Sequence, residues 1–268
     1  MRFSLALACM VLGFAANAFG WGGEGHQVVC LIAENHLTDN AKAGIHELLG
    51  EGVNISDAEV ANWADRIRRE RGDTGPWHYV NIPLGSKGYD EQRDGKKGDN
   101  VIDRIRISAE TVNDRSKSKR ERATALRFLV HLVGDVSQPL HCVDNNDAGG
   151  NKVVVQFLNQ QEPTNLHSVW DTALIRQYIG KMSIAEYADS IDRRVKPADA
   201  QREGGGTPAE WANQGFGIAS AQIYTSVPEG GATLVIDQRY IDNAKPIVES
   251  QLARGGFRLA NVLNAIFR

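Results

Sequence analysis

The sequence predicts an all-α protein, a single compact multi-helix domain whose one departure is a short β-hairpin or extended segment. Apolar residues recur at helical spacing along most of the chain. Helix-start signals, a Ser or Thr with Glu three residues later, precede several of these stretches. A β-type run stands out only at Lys152–Phe157, behind Gly149 and Gly150.

Taken in order, residues 1–20 read as a leader, leaving 21–268 as the domain. Arg2 supplies a positive start and Phe3 to Phe14 a short apolar run. Ala16-Asn17-Ala18 and Ala18-Phe19-Gly20 both offer a small-x-small cleavage pattern. A cut after Gly20 makes Trp21 the new N-terminus; a cut after Ala18 leaves Phe19 there. Apolar spacing then predicts a helix over Gly25–Leu37, and Thr38–Leu49 forms a second that stops at Gly50. Ser56 with Glu59 predicts a capping box opening a helix through Trp63 and Ile67. Val101–Asn113 and Lys119–Val136 follow, the latter with Leu126, Leu129, Val130, Leu132 and Val133 facing inward.

Beyond the β-type run come Leu166–Tyr178 and Ile184–Arg194, the second opened by a Ser183–Glu186 box. Thr207, Pro208 and Glu210 provide cap, first-turn proline and box before Trp211–Tyr224. A last helix starts from Asp242 and is expected to break near Gly255-Gly256. Polar, glycine-bearing loops are expected at Gly85–Asn100 and Pro197–Gly206, and neither reads as a domain linker.

At 268 residues, 42% hydrophobic and 24% charged, the chain has enough apolar material for a full core. The three cysteines exclude a disulfide scaffold, and Cys30 and Cys142 can either pair or remain core thiols. A net charge of −3 excludes adhesion to nucleic acid by bulk charge, though not a small site that grips a strand. No segment after the leader approaches a membrane span, so an exported protein, secreted or periplasmic, with no stable membrane association is expected.

The chemistry concentrates in histidine and aspartate. His131 with Asp135, and His167 with Asp171, stand four residues apart, which places each imidazole beside a carboxylate on one helix face. Neutral imidazole and carboxylate suit zinc. His141 arrives just after Pro139, His78 lies between Trp77 and Tyr79, and Asp65 sits close to an apolar helix face, where a carboxylate needs a partner or a metal. His26 follows Trp21 closely. His36 and His46 fall on polar helix faces and read as solvated.

Together, Trp21-Gly22-x-x-Gly25-His26, Trp63-Ala64-Asp65, Trp77-His78-Tyr79-Val80-Asn81, His131-Leu132-Val133-Gly134-Asp135 with Gln138-Pro139-Leu140-His141, and His167-Ser168-Val169-Trp170-Asp171 make a specific ordered set. In it the chain resembles the zinc-dependent, single-strand-specific nuclease family, which shares a superfamily with zinc-dependent phospholipase C. The resemblance implies an all-α fold with a trinuclear zinc cleft. It assigns Asp65, His78, His131 and Asp135 to one zinc, and His141, His167 and Asp171 to a second. The third takes the Trp21 α-amino nitrogen and carbonyl oxygen, His26, and Asp135 as a bridge. An α-amino ligand exists only once the leader is removed.

The resemblance further implies zinc-held hydroxide as nucleophile, oriented or deprotonated by Asp65, with Arg68, one turn later, on the transition-state oxyanion. The plainer reading of Arg68 is a solvated arginine. Tyr79 can stack an unpaired base and Asn81 can meet a base edge, or both can pack a tight loop. Family members often carry aspartate at the position of Asn81. Asn151, with Gly149 and Gly150, is a candidate for the phosphate through backbone amides, and Lys152 is a further one. Single-stranded RNA or DNA and nucleotides are the expected substrates, giving 5′-phosphate products with 3′-nucleotidase activity, from an enzyme favoured to be monomeric. The rival readings are a zinc phospholipase C, where glutamate typically replaces Asp171, and a zinc-binding protein without catalysis.

Overall fold

A computed structural model describes residues 20–268; of the predicted leader, residues 1–20, all but Gly20 lies outside the described residues. The helices are α1 (Gly23–Asn35), α2 (Asp39–Leu49), α3 (Ala58–Ala61), α4 (Trp63–Arg71) and, within the expected loop Gly85–Asn100, a one-turn α5 (Glu91–Asp94). After these come α6 (Val101–Asn113), α7 (Lys119–Asp135), α8 (Leu166–Ser168), α9 (Leu174–Ile179) and α10 (Ile184–Asp192). The set ends with α11 (Pro197–Glu203), α12 (Pro208–Ile218) and α13 (Gln238–Ile266).

Helix α1 runs through the middle, packed by α13 and α10, and α7 lies against α6. Its Val28, Val29, Ile32 and Ala33 are fully buried, as are Leu126, Leu129, Val130, Leu132 and Val133 of α7. Each such aliphatic side chain contributes roughly 1.5–3 kcal/mol through burial. The helices therefore meet where the apolar spacing places their faces.

Several local expectations are corrected. The Ser56–Glu59 box does not form: Ser56 turns its hydroxyl and amide to Glu34, at 2.8 and 2.9 Å, and Asp57 takes the cap position. The expected helix also breaks at Asn62, into α3 and α4. The boxes at Ser183–Glu186 and Thr207–Glu210 do form, and a third, Ser118–Glu121, opens α7. Part of the expected loop at Pro197–Gly206 is helical as α11.

The last helix begins earlier than expected, at Gln238, capped by the Asp237 carboxylate, and runs unbroken through Gly255-Gly256. Those glycines are a contact surface. A β-carbon at Gly256 would stand 2.5 Å from Ile32 Cγ2 and 3.1 Å from the Val29 carbonyl oxygen. Their missing side chains let α13 lie close on α1, which outweighs the helix propensity lost by glycine, about 1 kcal/mol each.

The expected β-type run is β1 (Val154–Phe157), the centre of a three-stranded sheet in the order β2-β1-β3. Strand β2 (Thr164–Asn165) pairs antiparallel with it, Val154 opposite Asn165. Strand β3 (Leu234–Ile236) pairs parallel, Val155 opposite Leu234, because α8 to α12 intervene as a crossover. The sheet bears on function through Asn165, whose side chain accepts from Ser168 N at 2.8 Å and so starts the helix that carries His167.

A buried polar grip fixes the segment after α7. Gln251 of α13 donates to the Ser137 carbonyl (2.9 Å) and Arg258 donates to the Ser137 hydroxyl (2.9 Å). The path from Asp135 to His141 is thereby tied to the C-terminal helix. Cys30 and Cys142 are both buried and free.

Candidate metal centre

Regular and irregular elements converge here. Helix α1 delivers His26 and α4 delivers Asp65. The 3₁₀ turn Gly75–His78 ends on His78, and α7 carries His131 and Asp135 one turn apart. A second 3₁₀ turn, Pro139–Cys142, presents His141. His167 lies on α8 and Asp171 on the π turn Val169–Ala173 that continues it. The donor atoms fall into three groups, each within 4.8 Å: His26, His131 and Asp135; Asp65, His78 and His131; and His141, His167 and Asp171.

Asp135 joins the first two groups. Its Oδ2 lies 2.8 Å from His78 Nδ1 and 3.3 Å from His131 Nε2, while Oδ1 faces His26 Nε2 at 3.5 Å. Asp65 Oδ1 lies 3.6 Å from His131 Nε2 and 3.8 Å from His78 Nδ1. His26 stacks on His131 with ring centroids 3.7 Å apart. In the remaining group His167 Nε2 stands 3.2 Å from His141 Nε2 and 3.3 Å from Asp171 Oδ2.

Backbone carbonyls orient the rings. The Nδ1 of His131, His141 and His167 face the carbonyls of Ala61 (2.8 Å), His78 (2.6 Å) and Gly149 (2.7 Å). A carbonyl only accepts, so each Nδ1 carries a proton and each Nε2 is the nitrogen turned inward. Gln138 does comparable work for Asp171. Its Oε1 accepts from Leu140 N (2.6 Å), which leaves Nε2 to donate to Asp171 Oδ1 (2.6 Å).

Electrostatics show what the cluster needs. Burial pushes the Asp135 carboxyl up, but His131 and His78 hold it well below the usual carboxylate range. Against burial, Asp135 and Asp65 raise His131 to about 9. Burial and the His131 charge lower His26 to about 4, so it is neutral at pH 7. Burial drives Asp171 well above its ordinary value, with Gln138 working against the rise. Both ring nitrogens of His26, His78 Nε2, His131 Nε2, Asp65 Oδ1 and Asp135 Oδ1 are buried and make no hydrogen bond. An unpaired buried polar atom costs about 1–3 kcal/mol. Divalent ions among these atoms would satisfy them and supply the positive charge the carboxylates draw, so the residues present fit a metal cluster.

Beside His167 opens a cavity of about 680 Å³, lined in part by Arg68, Tyr79, Asn81, Asn151 and Lys152. The predicted substrate-side residues thus share one cleft, which the candidate ligands reach through His167. Trp21 is fully buried, and the next residue ties it to the centre, Gly22 N donating to the Asp171 carbonyl at 2.7 Å. One detail differs from expectation. The amides of Gly150 and Asn151 are used within their own loop, on Asp147 Oδ1 (2.9 Å) and the Ala148 carbonyl (3.3 Å), so they do not point at a phosphate. His36 and His46 keep solvent access, as expected, with His36 2.8 Å from Asp192 Oδ1 and His46 3.7 Å from Glu51. Sequence reading also gave no role to Gln138, although the residue lies inside a quoted motif. Asp147 and Tyr224, which hold the loop beneath the cavity, carried no signal at all.

Comparisons with known proteins agree with this geometry. A family model described as S1/P1 Nuclease matches residues 21–268. Endonuclease 2 of Arabidopsis thaliana is 31% identical over 98% of this chain and 96% of its own. Nuclease S1 of Aspergillus oryzae is 29% identical over 98% and 97%, and nuclease P1 of Penicillium citrinum 30% identical over 92% and 97%. With its His and Asp donors gathered into three buried groups and residues 21–268 matched, the chain belongs to the S1/P1 nuclease family.

Proposed function

We propose that this protein is an exported, zinc-dependent phosphodiesterase that cuts single-stranded RNA and DNA to 5′-phosphate products and also hydrolyses 3′-nucleotides. One observation carries the reading: three buried His/Asp groups adjoin a cavity lined by a cation, an aromatic ring and carboxamides. Three zinc ions are the proposed complement. When bound, they would bring a coordinated water toward neutral pKa and offset charge on the attacking and leaving oxygens.

The chain's own residues do the rest. Asp65 has its carboxyl held at about 2, where His131 overcomes the effect of burial; it is anionic at neutral pH and turns one oxygen toward His78 and His131. That placement suits orientation of the attacking water more than storage of its proton. Arg68, one turn along α4 and on the cavity wall, is placed for the charge that develops on the phosphoryl oxygens. Tyr79 offers a ring to an unpaired base, a contact of about 1–3 kcal/mol, and Asn81 a donor and an acceptor to its edge. Single strands are favoured because a stacked duplex cannot present a splayed base to this wall.

Leader removal completes the centre. A β-carbon built on Gly20 would stand 1.6 Å from Asp135 Oδ1 and 2.8 Å from His26 Nε2, so in the uncut chain Gly20 fills the space those two atoms face. Cutting after Gly20 clears that space and frees the Trp21 α-nitrogen as a donor. The periplasm or the extracellular medium is the proposed place of action.

The test loads the protein beginning at Trp21 with zinc and offers single-stranded RNA, single-stranded DNA, a 3′-nucleotide and phosphatidylcholine, with ions counted by native mass spectrometry. Expected are turnover of the first three, three zincs, and one zinc fewer on a chain that retains Gly20 and residues before it. Turnover of phosphatidylcholine alone would move the chain to the phospholipase C reading. Three zincs with no hydrolysis would leave a metal-binding protein, and three zincs on the extended chain would remove the maturation step.

A further inference from the structure

The loop Asp144–Asn151 holds an unusual backbone. Asn146, Ala148, Gly149 and Gly150 all lie at positive φ, between 56° and 85°. Two of these are not glycine, and each residue in such a conformation costs of order 1–3 kcal/mol unless its surroundings enforce it. Asp144 Oδ1 accepts from the amides of Asp147 and Ala148, both at 3.0 Å, and Asp147 Oδ1 accepts from Gly150 N at 2.9 Å. Asp147 is itself fixed from far along the chain. The Tyr224 hydroxyl lies 2.9 and 3.0 Å from its two carboxylate oxygens, and both residues are buried. Burial and the Asp147 charge push the Tyr224 phenol up, which keeps it a donor.

The loop ends at the metal centre. Its Gly149 carbonyl accepts from His167 Nδ1, and a β-carbon at Gly149 would stand 2.5 Å from the Leu140 carbonyl oxygen, so the loop has little room to shift toward His141. We propose that Tyr224 is a positioning residue: through Asp147 it sets the loop whose Gly149 carbonyl aims His167 at the ion held with His141 and Asp171. The inference rests on reading that group as a zinc site. Tyr224 does not line the cleft and touches no substrate.

The experiment compares the wild-type protein beginning at Trp21 with Tyr224→Phe, Asp147→Asn and a control, Tyr178→Phe. Tyr178 also donates a buried hydroxyl, to the Ile241 carbonyl at 2.6 Å, away from the centre. Zinc affinity is read by competition with a chromophoric chelator, stoichiometry by native mass spectrometry, and Tm by calorimetry. Outer hydrogen-bond partners of ligands typically change metal affinity 10–100-fold. Tyr224→Phe should therefore weaken one zinc by about tenfold and leave the others at wild-type affinity, and Asp147→Asn should weaken the same ion. Tyr178→Phe should lower Tm without moving any zinc affinity.

Wild-type affinity for every ion in Tyr224→Phe would overturn the proposal, as would equal weakening of all ions in step with Tm. Should Tyr224→Phe fail to fold, Asp147→Asn alone decides by the same criteria. A wild-type protein that binds no zinc would instead defeat the metal reading, and the positioning role with it.

Discussion

His131 and Asp135 project from α7 in a stretch where Leu129 to Val136 is buried throughout, and their neighbour His26 comes from the central helix α1. His141, His167 and Asp171 instead come from a 3₁₀ turn, a one-turn helix and a π turn. The first set inherits its geometry from helix packing, because ridges of aliphatic side chains fix where each helix lies. The second sits on short turns, the first of them packed by α12, and single hydrogen bonds from Gln138 and to Gly149 finish its geometry. One half should therefore break through its ligands or its helix contacts, the other through single polar partners.

The sharpest separation comes from Asp135→Asn set against His167→Ala. Asp135 faces His26, His78 and His131, so its loss should remove more than one zinc and lower kcat/KM by about 10³-fold or more. His167→Ala should remove one zinc and leave the ions of the helical half in place. Equal zinc counts for the two variants by native mass spectrometry would erase the distinction.

A smaller effect is expected from Gln138→Leu, which takes the donated hydrogen bond from Asp171 and leaves the helical half untouched. Affinity for one zinc should fall about tenfold, by chelator competition, with the other ions at wild-type affinity. If every ion weakens together, the second half is not held separately.

The smallest effect on chemistry belongs to Gly256→Ala, which pushes a methyl group against Ile32 where α13 crosses α1. Overpacking of this kind costs about 1–3 kcal/mol. A lowered Tm with kcat unchanged is expected. A large loss of kcat would mean that the helix crossing tunes the centre directly.

What the sequence made legible follows the same division. The helical half announced itself in apolar spacing and in the His-x3-Asp pair of α7, both local signals of one regular element. His141 and the His167–Asp171 pair were also visible as motifs, but their supports were not. The Tyr224–Asp147 contact spans most of the second half of the chain, and no periodicity marks it. Ser56–Glu59 had the pattern of a capping box and failed as one because Glu34, distant in sequence, competed for the serine. Gly255-Gly256 looked like a break since their value lies in what α1 places opposite them. The two-residue β2 and three-residue β3 are too short to carry an alternating pattern.

His131 is oriented by the main-chain oxygen of Ala61, and His141 by that of His78. Every amino acid carries that oxygen. Replacing Ala61 by another small residue therefore leaves the acceptor itself in place. His78, by contrast, is itself a donor of the centre and Gly149 has no room for a β-carbon, so this part of the centre tolerates drift only at Ala61. Its exposure lies in chain length. One residue inserted or deleted between Ala61 and Asp65, or between Gly149 and His167, would shift the carbonyl against the ring while every ligand remained present. In a comparison of related chains, gaps near the Ala61 carbonyl should be rarer than substitutions of Ala61.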